Sequence, residues 1–116
     1  MPPFNAGRSD RLADAAIDVL AREGARGLTH RAVDAQAGEP SGTTSRYFRT
    51  REALMGAIVQ RVEAQHFADL RAAPGGALER GDLVAHLAAM VQAALTVNRA
   101  RHLAIAELFL ESTRRP

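Results

Sequence analysis

The sequence contains no cysteine, which excludes disulfide frameworks and thiolate chemistry. It contains no lysine either. All 15 basic residues are arginine, a bias that, with the abundant alanine, is better explained by a GC-rich coding sequence than by a function. The net charge is only +2, so any argument for a nucleic-acid partner must be local. No stretch reaches the roughly 20 apolar residues of a membrane span. The opening "MPPFNAGRSDRL" has no apolar run after its basic residue, unlike a secretory leader. A soluble cytoplasmic protein with no membrane partner is expected. Segments alternating apolar and polar residues, internal repeats and low-complexity tracts are all missing.

What remains is helical periodicity, and the expected fold class is all-α. The 116 residues make one domain, or a small module joined to part of a larger one. Leu12, Ala16, Val19 and Leu20 recur at helical spacing, with Ser9 or Asp10 as front cap and Gly24 as terminator. Thr29 caps a short helix through Val33 and Ala37, and Gly38 stops it. Pro40 keeps Glu39 out of helical conformation, and Ser41 is the expected cap of a further short helix ending near Phe48. Thr50 then caps a long helix over residues 51–71, with Leu54, Ile58 and Val62 inward. The Pro-Gly-Gly link within residues 72–77 cannot stay helical. Beyond it come a helix capped by Asp82 and reaching Val97, and a last one from Arg101 to Ser112 through Leu103, Ala106, Leu108 and Leu110.

Residues 41–54, "SGTTSRYFRTREAL", hold small hydroxyl residues, three arginines and two adjacent aromatics, the chain's only tyrosine among them. Together with the helix before it, this stretch has the layout of a helix-turn-helix, whose second helix enters the major groove of DNA. Such a helix must be thin at its leading end. Ser41, Gly42 and Thr43 meet that requirement, and their hydroxyls can bond either groove edge. Arg46, Arg49 and Arg51 would flank the groove and neutralise phosphates, and the Tyr47 hydroxyl can reach a phosphate from a rigid ring. Phe48 is expected to plug the helix into the core. The helix starts at Thr29 and Thr50, with Arg31 and Arg51 beside them, suit phosphate groups.

Chemistry of other kinds finds no support. No nucleophile stands beside a base, no paired carboxylates mark a cleft, and Gly75 and Gly76 follow no strand, so they make no nucleotide loop. The expectation is a protein that is not an enzyme and holds no cofactor or metal. The competing reading is an all-helical protein-interaction module, whose arginine-rich stretch merely solvates its face.

The run "LTHRAVDAQAGEPSGTTSRYFRTREAL" strongly resembles the DNA-binding module of TetR family transcriptional regulators. The likeness extends over about residues 8–60. Thr29, Ala37-Gly38, Gly42-Thr43, Tyr47-Phe48 and Thr50 through Leu54 stand in register with the family pattern. The resemblance implies a helix-turn-helix DNA-binding domain over residues 1–50. Residues 51–116 would supply the connecting helix and the start of a helical ligand-binding and dimerisation domain. It further implies a homodimeric repressor of a palindromic double-stranded operator, released by a small-molecule effector, and acting on the bacterial nucleoid. Ser41, Gly42, Thr43 and Ser45 fall where the family contacts bases. Thr29, Arg31, Tyr47 and Arg51 fall where it contacts phosphates, and Arg46 is assigned to neither set.

Three departures matter. Glu39 and Pro40 stand where the family often has Val and Ser, and Glu39 is expected to point away from DNA. Thr44 replaces a common Leu, leaving Phe48 and Pro40 to hold the short helix. Ser45 replaces a common Tyr, so base preference cannot be transferred. The family's second domain normally continues for several more helices, so a longer protein is expected, with Leu103, Leu108, Phe109 and Leu110 short of partners. His66, Phe67, His86, Met90, Asn98 and His102 are the candidate effector contacts, set against the plainer reading of surface histidines and a core methionine.

Overall fold

Apolar residues at helical spacing and glycines at the breaks divide the chain into helices. The computed structural model describes residues 5–72 and 83–114, and the regular elements among them are all α-helices. In chain order they are α1 (Ala6–Gly27), α2 (His30–Ala37), α3 (Thr43–Tyr47), α4 (Arg51–Ala72), α5 (Leu83–Leu95) and α6 (Arg99–Arg114). The link within residues 73–77 and the expected cap Asp82 lie outside the described residues.

The Asn5 side chain accepts from the Arg8 amide at 3.1 Å, so α1 begins a turn earlier than Ser9 or Asp10 would allow. Its inner stripe includes Leu12, Ala16, Val19 and Leu20, all fully buried. At Gly24 the backbone turns to φ 74°, ψ −177°, a conformation essentially confined to glycine, and residues 25–27 form one more turn beyond this break. Thr29 caps α2 by accepting from the Ala32 amide at 3.0 Å, and Gly38 closes it at φ 69°. Thr50 caps α4 in the same way through the Ala53 amide at 3.0 Å.

The short α3 is capped differently from expectation. Gly42, at φ 96°, takes the position in front of it, and Ser41 lies one residue farther out with no capping bond.

The hub is α1. Helices α2, α4 and α6 all pack on it, and α5 packs on α6. Leu12, Leu20, Leu28, Val33, Leu54, Ile58 and Ala104 share one buried cluster, so the helix-turn-helix and α6 draw on the same core. A fork from Arg61 to Asp14, at 2.7 and 3.2 Å, ties α4 to α1, and Gln65 adds a bond to the same carboxylate at 3.1 Å. Of the four apolar residues of α6 expected to be short of partners, three are exposed. Arg101 and Ala104 are buried and Leu108 is half-buried against the core, whereas Leu103, Phe109 and Leu110 face out. Arg101 can lie inward because its guanidinium reaches Asp69 of α4 at 2.6 Å. Helix α5 buries none of its residues.

Gly24 offers a direct check on this packing. A Cβ there would sit 3.4 Å from the Glu107 carboxylate of α6, on a backbone that side-chain-bearing residues avoid. Gly24→Ala is expected to destabilise the fold by about 1–3 kcal/mol, seen as a lower urea midpoint with unchanged slope.

Candidate nucleic-acid interface

Five residues of helix cannot hold themselves in water, so α3 depends on what its neighbours give it. The decisive donor set is its own leading amides, and the acceptor is Asp34, on α2. This carboxylate is only 3% exposed. It accepts from the Gly42 amide at 2.8 Å, the Thr44 amide at 2.7 Å and the Thr44 hydroxyl at 2.5 Å. An acid from one helix thus caps the front of the next. Burial pushes the Asp34 carboxyl upward, but the bonds from Thr44 and Gly42, with the nearby His30, outweigh it and hold the group below its ordinary 3.8. The far end of α3 is tied as well: the His30 ring Nε2 lies 2.6 Å from the Phe48 carbonyl.

This arrangement corrects the expected anchoring. Thr44 does not leave a weak apolar contact; it is fully buried and bound to Asp34. Phe48 is half-buried against the core, as is Tyr47. Thr43, expected at a base edge, is also fully buried, and its hydroxyl donates to the Pro40 carbonyl at 2.8 Å. Its side chain serves the turn.

The outer face of the motif carries Ser41, Gly42, Ser45 and Arg46, all exposed, with Thr29, Arg31 and Arg49 exposed around it. A Cβ on Gly42 would meet nothing within 4 Å, so the front of α3 stands in open space. Arg51, expected on a phosphate, is committed inside the fold. Its guanidinium donates to the Leu28 and Ala25 carbonyls, each at 2.6 Å, and so joins the base of α4 to the end of α1. Glu39 is accounted for by Arg8, whose Nε and Nη2 both bind its carboxylate; that contact holds the Glu39 carboxyl below its usual range. Arg8 also interacts with Tyr47.

Among the candidate effector contacts, the structure brings His66 and His102 together, with ring centroids 5.9 Å apart. His102 is further held by the Asn98 carbonyl, 2.9 Å from its Nδ1. Phe67 and Met90 are exposed and His86 is half-buried on α5. An open cleft of about 390 Å³ lies between α1, α4 and the start of α6, lined by Asp14, Asp18, Gln65, Asp69, Asn98 and Arg101 among others. Of the six candidates, Asn98 alone lines it. No described helix is long and apolar enough to cross a membrane.

A solved structure of a TetR family member from Streptomyces coelicolor A3 superposes on this chain with a TM-score of 0.75. The two are 34% identical, and the match covers 94% of this chain. The likeness in fold and sequence supports a place in the TetR family. It spans 63% of that relative's length. No protein-family model and no curated protein matches it. Within the TetR pattern, the Asp34–Thr44 contact stands where the resemblance led to a leucine at residue 44, so a polar bond here does what an apolar side chain would otherwise do.

Asp34→Asn would turn an amide donor toward the Gly42 and Thr44 N–H groups, and is expected to cost about 1–3 kcal/mol. The carboxyl of Asp34 lies lower in the folded chain than in the unfolded one. Its stabilising effect is therefore complete at neutral pH and is lost as pH falls through the folded value, below about pH 4. Thermal unfolding of both proteins should show a full gap at pH 7 that closes only in that acid range.

Proposed function

We propose that this chain is a TetR-type DNA-binding regulator of transcription, whose residues 1–50 bind duplex DNA and whose residues from 51 onward carry the regulatory helices. The observation that carries this reading is the open Gly42–Ser45 face of α3, fixed from behind by a buried carboxylate and surrounded by exposed arginines. Ser41, Gly42 and Ser45 are short enough to let α3 enter the major groove and bond base edges. Thr29, Arg31 and Tyr47 flank that face and serve the phosphates, with Arg49 beside them. The regulator acts as a homodimer on a palindrome, represses from it, and is released by a small effector bound among the helices beyond α3. It works in the cytoplasm on the nucleoid, without a cofactor or catalytic step. A protein-interaction module is the second reading, favoured by the apolar face of α5, where Val84 is 81% exposed.

Duplex binding as a function of salt separates the two. A DNA-binding regulator loses affinity steeply as salt rises, and Arg31→Ala weakens all sequences alike while lowering the salt slope by about one. Duplexes selected from a random pool should be palindromic, with half-sites about 34–36 Å apart. Absence of duplex binding above background at low salt would overturn the reading in favour of the interaction module.

A further inference from the structure

We infer that Arg46 is the residue through which α3 reads a guanine, so that each half-site carries a G·C pair at one fixed position. The inference rests on the DNA-binding reading above and adds to it a named reader and a named base.

The argument begins with which side chains of α3 remain available. Thr43 and Thr44 are fully buried, and Tyr47 is half-buried. Gly42, Ser45 and Arg46 are exposed and stand at i, i+3 and i+4, the spacing of a single helix face. Gly42 presents backbone alone, and a serine hydroxyl donates or accepts at any base, so neither singles out one base pair. Arg46 is different. Its planar fork of donors matches the paired O6 and N7 acceptors that only guanine shows in the major groove.

The other arginines nearby have different positions or partners. Arg8 is bound to Glu39, and Arg51 to the Ala25 and Leu28 carbonyls. Arg31 lies on α2, and Arg49 lies in the link before α4, both off the face that leads into the groove. The Arg46 amide bonds the Gly42 carbonyl within the helix, but its guanidinium makes no hydrogen bond or ion pair with the described residues and is exposed. Its small neighbours allow close approach of the backbone, leaving Arg46 as the long side chain that spans to a base edge. The base from which it projects is rigid, because Asp34 holds the amides of Gly42 and Thr44. A preset backbone is what lets a flexible arginine discriminate instead of merely attract.

Selection from a random duplex pool with the native chain and Arg46→Ala tests this. The native consensus should hold a guanine at one position per half-site, and exchanging that G·C pair should weaken binding roughly tenfold to a hundredfold. In Arg46→Ala that ratio should fall to near one while the remaining consensus positions persist. The unfolding midpoint of the variant should scarcely move, since the Arg46 side chain is exposed and pairs with none of the described residues. A variant that keeps the guanine preference, or that weakens every duplex equally and lowers the salt slope as Arg31→Ala does, overturns the inference while leaving DNA binding intact. A native chain that binds no duplex removes the underlying reading instead.

Discussion

The candidate interface depends on one buried carboxylate. Asp34 receives three hydrogen bonds from the front of α3, two of them from leading amides that have no partner inside so short a helix, while the Thr43 amide goes to the Pro40 carbonyl. The contact is demanding because it is dry. A buried acid with its donors in place fixes geometry firmly, and the same acid without them is strongly unfavourable. Orientation of α3 is therefore set by a directional polar bond, where an apolar anchor would have tolerated sliding. The aromatic pair at 47 and 48 then closes the side facing the core.

Much of this architecture was legible in the sequence because its signals are local. Thr29 and Thr50 cap helices through amides three residues on, and Gly24 and Gly38 adopt the positive φ that breaks them. Leu54, Ile58 and Val62 lie inward as their spacing requires. The co-linear pattern over residues 29–54 carried the family assignment. Other features were illegible because their partners are distant in sequence. Asp34 looks like a solvated acid in the middle of a short helix until α3 folds back over it. Thr43 looks like a groove-facing hydroxyl and Thr44 like a weakened apolar anchor until Pro40 and Asp34 receive them. A buried arginine at 101 was hidden by the same cause, because Asp69, which makes it tolerable, sits 32 positions away.

Two sets of contacts meet on α1. One side holds α2 and the base of α4; the other holds α6, which places Ala104 in the common core and Glu107 over the Gly24 break. Helix α6 and the helix-turn-helix therefore share α1 as their common support. The open cleft between α1, α4 and α6 lies at this same junction. Packing of this kind transmits displacement because interiors are dense and offer little slack.

The two bonds of Arg51 give the chain's arginine-only vocabulary a structural consequence. The related pattern admits either long cation at this place, but the two receiving oxygens belong to Ala25 and Leu28, on separate peptide planes. A flat guanidinium serves both at once; a compact ammonium has a shorter span and no fork. Drift of this codon to lysine would preserve charge yet lose the two-pronged tie between the base of α4 and the end of α1, with the Ala25 carbonyl left to the Leu28 amide alone.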